Sequence, residues 1–240
     1  MTDGLDLKRL VSSGVSLARP ASLADEAANA VREMILLEKL PPGTALPERD
    51  LSDALGISRT PLREAIRILA NEGLVEFSAS RRPRVADPTL DEITDTLQVQ
   101  GALEALSGEL ACAKASDAEL DRIARLNEEM LAYSGKEDPV TSFKRDMAFH
   151  TAIVAASGNA PLAETHATYN ARLWRARFLS SQRKVSREST RAEHAMIVDA
   201  LLKRDAPESA RVLKLHLRTA VANIKMALKE REERNRETAS

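Results

Sequence analysis

The chain has 240 residues, 30% of them charged and 43% hydrophobic, with a formal net charge of −1 and one cysteine. That length suits one large domain or two ordinary ones; the lack of a run of about eighteen apolar residues excludes a helical membrane span. The near-neutral charge excludes a globally basic nucleic-acid coat, and 3% aromatic residues argue against single-strand or RNA binders, which stack bases on aromatic platforms.

Residues 1–20 show weak periodicity and lack the apolar core of a signal peptide. A mobile arm is expected there, with a short amphipathic turn around Leu5 to Val11. Ser22 caps a first helix running to about Glu38, because Leu23, Ala27, Val31, Met34 and Leu37 recur at three and four. LPPG, Leu40 to Gly43, stops it. LPERDLSDALGISRTPLREAIRILANEG then reads as two short helices joined by a tight turn at Gly56. Leu51 and Leu55 face inward from the first helix. Leu62, Ala65, Ile66 and Leu69 do so from the second, and Ile57 fills the gap. On the outer face Arg59 and Arg63 lie four apart, and Arg67 continues the row. Ser58 and Thr60 are alternative caps, and Pro61 fits the first turn. Helix-start donors and the positive dipole end suit a DNA phosphate or a guanine edge. At this point a plain helical hairpin with a solvated arginine face is an equal alternative.

Leu74–Phe77 and Arg84–Ala86 read as paired strands around a short SASRRP wing. From Ser58 to Arg84 six arginines face three glutamates, a local surplus of three that suits a site-specific duplex binder. Asp87-Pro88-Thr89 breaks the pattern. Beyond it strand signals vanish, and helices are expected at Leu90–Ala115, Asp117–Tyr133, Pro139–Ala156, Pro161–Ser181, Glu188–Lys203 and Pro207–Arg231. Ser116 to Glu119 is a capping box. Six helices must bury one another, so this part is a bundle. Cys112, in ELACAKA, reads as a small core residue. A lone cysteine cannot form an internal disulfide, which fits a cytoplasmic protein.

Asp146 and His150 sit at i and i+4 on one helix, His194 on a later helix and His216 on the last. One carboxylate and three imidazoles can complete most of a divalent-ion shell. On counting alone, scattered histidines are more often surface or hydrogen-bonded core residues.

The stretch from Leu23 to Ala86 resembles the winged helix-turn-helix of the GntR family of bacterial transcription regulators. The resemblance is carried by the LPPG turn, the ERDLSDALGISRTPLREA core and the LANEGLVEF exit. It implies a mainly α fold, with a small β wing in the head and an all-α bundle behind it. The domains are then 1–20 (arm), 21–87 (DNA-binding), 88–232 (effector-binding and dimerisation) and 233–240 (tail). It also implies double-stranded DNA as a partner. Arg59 and Arg63 would read bases, Arg49 would hold phosphate, and Ser58, Thr60 and Arg67 would complete the face. Arg81 would reach the minor groove from the wing. Family members place a glycine after that arginine; here Arg82 and Pro83 follow, so a departure in the turn is expected.

The second part is similar to the FadR C-terminal (FCD) ligand domain, on Asp146 and His150 in DMAFH, His194 in EHAMIVDAL, and His216. That similarity implies zinc, manganese or nickel on these four residues, with a small organic acid, a carboxylate effector, completing the shell. His166 matches no ligand position. The subgroup's R-x-x-L-E segment is VQGALEAL here, so Gln100 stands where an effector-gripping arginine is usual. Arg172, Arg175 and Arg177 around Trp174 are available instead, and the sequence assigns none of them. One helix-turn-helix reads too few base pairs for genomic specificity, so a homodimer on a palindromic operator is expected. Two alternatives remain: a metal-dependent hydrolase on the bundle, which lacks an HExxH-like base, or the same regulator without metal.

Overall fold

The structure, a computed structural model, describes residues 22–238, and the expected arm over 1–20 lies outside them. The head begins with α1 (Leu23–Leu36), capped by Ser22 in a capping box closed by Asp25. α2 (Glu48–Leu55) ends at Gly56, whose left-handed φ of 67° makes the sharp turn that a Cβ would disfavour. α3 (Arg59–Asn71) follows with Ser58 as N-cap, which decides between the two alternatives, although its side chain makes no capping hydrogen bond. β1 (Val75–Phe77) and β2 (Pro83–Val85) pair antiparallel, Val75 opposite Val85 and Phe77 opposite Pro83. The segment after α1 adds backbone bonds to the free edge of β2, Val85 donating to the Thr44 carbonyl and Leu46 to that of Pro83. Val31, Leu46, Leu62, Leu69 and Val85 form the core of this unit, with Ile57 packed against it.

The wing closes through a turn in which the Arg81 N–H donates to the Ser78 carbonyl. Arg81 itself adopts φ 58°. The left-handed residue therefore precedes the position where family members carry glycine, and Arg82 needs no such conformation. A type I turn followed by a left-handed residue is a standard three-residue hairpin.

Six further helices follow: α4 (Leu90–Lys114), α5 (Asp117–Tyr133), α6 (Pro139–Ala156), α7 (Ala160–Ser181), α8 (Lys184–Leu202) and α9 (Ala206–Thr238). Caps explain most boundaries. Thr89 and Ser116 close capping boxes with Glu92 and Glu119. Asp138 caps α6 ahead of Pro139, and Asn159 caps α7. Among these six helices two expected bounds differ by more than one residue. α8 starts at Lys184 rather than Glu188, after Arg183, which supplies no side-chain cap, so no local signal marks that start. α9 continues past Arg231 to Thr238.

α4 is the central helix, and α9 lies along it. Its Gly108 admits Leu213 and Ser209: a Cβ there would come within 2.4 Å of both side chains. Ala111, Phe149, Ile153, Ile197 and Leu213 form one core of the bundle. Cys112 is buried at its edge, and burial pushes its thiol above the usual range.

The head is docked on the bundle. Leu36 of α1, 1% exposed, is buried among Val140, Phe143, Met147 and Phe178. Glu38 accepts from Arg175 of α7 at 3.0 Å and pairs with Arg231 of α9 at 2.7 Å. Gly73, at φ 73°, lies against Arg172 so closely that a Cβ would fall 2.5 Å from the arginine Cγ. Gly73→Ala is therefore expected to destabilise the protein by about 1–2 kcal/mol from the left-handed backbone alone. A urea midpoint equal to that of the wild type would contradict this.

Candidate nucleic-acid interface and metal centre

α3 buries Leu62, Ala65, Ile66 and Leu69, which turns the opposite side of the helix to solvent. Arg59, Thr60, Arg63 and Arg67 are all exposed, as are Ser58 at its cap, Arg49 on α2 and Arg81 at the wing tip. The structure thus places every arginine expected at the DNA face on the surface. They differ in commitment. Arg63 Nε donates to Glu48 Oε2 at 2.7 Å, and Arg67 lies 3.5 Å from Glu64. Arg59 has no ion-pair partner among the described residues, and it stands at the helix start with unpaired N–H groups beside it. The Glu48 pair is largely exposed, so it holds Arg63 weakly.

In the bundle the three histidines singled out in the sequence converge. Their ligand-capable nitrogens lie within 4.8 Å of one another, and all three residues are buried. The His150 and His216 rings stack with centroids 5.0 Å apart, and those of His194 and His216 lie 4.8 Å apart. Asp146, one turn before His150, places Oδ1 3.6 Å from His194 Nε2. The helical i, i+4 spacing on α6 thus brings Asp146 beside a third imidazole from α8. His166 is also buried, with Nε2 3.4 Å from Glu104 Oε1, and it is not in the cluster.

Two carboxylates that carried no role in the sequence reading complete this arrangement. Glu104 of α4 accepts from His150 Nδ1 at 2.9 Å. Glu193 of α8 accepts from His216 Nδ1 at 2.8 Å, and its other oxygen accepts from Thr219 at 2.6 Å. An ionised carboxylate is acceptor-only, so each fixes the proton on Nδ1 and leaves Nε2 with its lone pair. Nε2 of His150 and of His194 are indeed buried without a hydrogen-bond partner among the described residues. Glu104 was visible only as part of the LE pair; Glu193 precedes His194 in sequence yet serves His216. Their signal was a buried acid on a helical face, which chain order does not reveal.

The electrostatics follow. Burial opposes charge on Glu104, but His150, His166 and Arg177 hold its carboxyl well below the usual range. Burial lowers His150, outweighing the pull of Glu104. His194 falls well below the usual value, first through burial and then through His216, His150 and Arg177. Neutral imidazoles with free lone pairs, anchored from behind by carboxylates, are the state that binds a divalent ion. Donors of this type suit zinc, nickel or manganese.

Beside the cluster a cavity of about 200 Å³ opens between the helices, lined by Asp146, His194, His216, Arg177, Phe143 and Asn223 among others. Gln100, fully buried, turns its amide to Glu104 Oε1 at 3.4 Å and does not reach this lining. Of the arginines around Trp174, Arg177 lines the cavity, Arg175 grips Glu38, and Arg172 lies over the Tyr169 ring.

In metal-free protein the depressed histidines set an acid limit. The native state keeps His150 and His194 neutral, while the unfolded chain takes up protons near pH 6.5. Below that pH the unfolded state binds more protons, so stability falls as pH drops, with a further loss below about 4.3 as Glu104 of the unfolded chain protonates. Urea midpoints of chelator-treated protein should be lower at pH 5.5 than at pH 7.5; a higher midpoint at pH 5.5 would reverse the sign.

Comparison with known proteins places these sites in context. Residues 23–85 match the bacterial regulatory proteins of the gntR family, and residues 95–219 match the FCD domain. The chain is 32% identical over 197 residues to an uncharacterised HTH-type transcriptional regulator in an unstable DNA locus of Streptomyces ambofaciens, covering 81% of each chain. It is 29% identical over 227 residues to the Glc operon transcriptional activator of Escherichia coli K12, covering 84% of this chain and 89% of that one. In structure it resembles Escherichia coli McbR/YncC with a TM-score of 0.73 at 19% identity, over 86% of this chain and 99% of the other.

Proposed function

We propose, for a chain that belongs to the gntR family of bacterial regulatory proteins and carries an FCD domain, that operator affinity is set by a small carboxylate bound beside a metal ion in the bundle. Membership makes it a DNA-binding transcriptional regulator with an effector domain, and its relatives are named as regulators rather than enzymes. The observation that carries the finer reading is the set of three converging imidazoles, two of which, His150 and His216, have Nδ1 held by Glu104 and Glu193.

His150, His194 and His216, with Asp146, would hold the ion, which would offer an open position to an oxygen ligand. Glu104 and Glu193 keep the rings in the right tautomer. Such supporting carboxylates are typically worth 10- to 100-fold in metal affinity. Glu193→Gln is accordingly expected to weaken zinc binding by about that factor, read by competition with a chromophoric chelator. Wild-type protein purified without chelator and holding no stoichiometric metal by elemental analysis would favour the metal-free version of the regulator.

At the head, Arg59 and Arg63 would read base edges in the major groove. Ser58, Thr60 and Arg67 would extend that face, Arg49 would hold phosphate, and Arg81 would enter the minor groove. Recognition by one head is too short for a genome, so a homodimer would bind a palindrome. α4 supports this. Val99, Leu103, Leu106 and Leu110 recur at four, three and four along it, with Val99 40% and Leu106 42% exposed, an apolar stripe of the kind one helix buries against another. Reading DNA places the protein in the cytoplasm; no described helix is long and apolar enough to cross a membrane.

Operator fragments selected from a random pool should be palindromes of one fixed spacing. Arg59→Ala should then weaken binding to the selected operator by about 1–3 kcal/mol, the worth of a bidentate guanine contact. Equal affinity of mutant and wild type at fixed salt would refute the role of Arg59.

A further inference from the structure

We infer that Arg177 is the anion anchor of the effector cavity, holding one carboxylate of a small organic acid from α7 because α4 carries Gln100 where that arginine is usual. This rests on the reading of the cavity beside the imidazoles as the effector site, and it names the residue that selects the ligand.

Three observations converge on Arg177. The first is donor bookkeeping. Arg177 is only 6% exposed, and a guanidinium has five N–H donors. Among the described residues one hydrogen bond meets them, from Nη1 to Asn170 Oδ1 at 3.1 Å, while Glu104 Oε1 stands off at 3.5 Å. Glu104 offsets the charge as an ion pair, and the donors that neither it nor Asn170 engages are left for an acceptor in the cavity. Glu104 cannot saturate the fork: Oε1, the oxygen 3.5 Å from Arg177, is also approached by His166 and Gln100, and Oε2 is taken by His150 at 2.9 Å.

The second is position. Arg177 lines the same cavity as Asp146, His194 and His216, so one ligand can touch both the arginine and the ion site.

The third is elimination among the neighbours. Arg175 is committed to Glu38. Arg172 lies over Tyr169 and against Gly73. Arg183 pairs with Glu230, and Arg191, which also lines the cavity, is exposed, so solvent screens its charge more than that of the buried Arg177. Gln100 spends its amide on Glu104 and lies outside the lining.

The planar fork of Arg177 matches two oxygens of one carboxylate. Met130, Phe143 and Ile224 elsewhere in the lining suit a short carbon body rather than a bare inorganic ion. Inorganic phosphate offers the same two-oxygen edge, so it is the control.

The test uses zinc-loaded, full-length protein titrated with citrate, malonate, L-lactate and inorganic phosphate. Trp174, the single tryptophan, packs edge-on against Phe143 with centroids 5.5 Å apart and Phe143 lines the cavity, so its fluorescence reports occupancy alongside calorimetry. At least one of the three acids should bind more tightly than phosphate. Arg177→Met should weaken it on the order of tenfold to a hundredfold, the worth of charge-assisted hydrogen bonds, measured on protein whose zinc content is matched to the wild type by elemental analysis. Arg177→Lys, which keeps the charge and loses the fork, should fall between, and it decides the matter if Arg177→Met does not fold.

Wild-type acid affinity in Arg177→Lys and Arg177→Met overturns the assignment while leaving the effector-site reading intact. Tighter binding of phosphate than of every acid, or binding of none of the acids, also overturns it. Wild-type protein that takes up no zinc would instead sink the underlying metal reading, a result the zinc analysis separates from the others.

Discussion

A carboxylate 1% exposed in the middle of a helical bundle is the constraint around which this structure is built. Burying Glu104 without compensation would cost several kcal/mol. α4 carries it, and α6 and α7 must each present a partner: His150 from one, His166 and Arg177 from the other. The compensation is therefore also an alignment. The same contact that makes the charge tolerable orients the His150 ring and leaves its outer nitrogen facing His194 and His216. Glu193 does this for His216 at the opposite side, but at 8% exposure and with a threonine as its second donor, so it demands less of the fold.

Position on α6 and α7 then ties this centre to the head. Phe143, one turn before Asp146 and Met147 on α6, lines the cavity beside the imidazoles and also packs against Phe178 and Trp174, the cluster into which Leu36 of α1 inserts. On α7, Arg177 faces the cavity while Arg175, two residues away, holds Glu38 just beyond α1. Two helices thus touch ligand space with one residue and the DNA-binding unit with another. Contact alone does not make a switch; a ligand moves the head only if it binds two arrangements with different affinity. The packing identifies where such a difference would be read, at Leu36 and Glu38.

Much of this was legible because local chemistry is legible. Ser22, Ser116 and Gly56 announced helix ends through their own local chemistry, and α5 falls where its capping box puts it. The converging histidines were found by helical spacing together with the FCD resemblance. What escaped was non-local. Glu104 and Glu193 act on rings 46 and 23 residues away, and nothing in their neighbours marks them. The inward turn of Arg177 depends on α4 and α6 standing beside α7. The wing shows the same limit at small scale: the missing glycine pointed to an altered turn, but only the backbone shows Arg81 taking the left-handed conformation.

The arrangement is also a standing cost. His150 and His194 hold buried lone pairs that meet no donor among the described residues, and burial suppresses the protonation that would relieve them. A fold selected for stability alone would fill that space with apolar side chains, as the surrounding Phe149, Ile153 and Ile197 do. Any ion that binds the native chain and not the unfolded one recovers part of that cost through mass action. With an ion bound, stability and ligand state would become one variable, and Leu36 and Glu38 are the contacts that join this part of the bundle to the head.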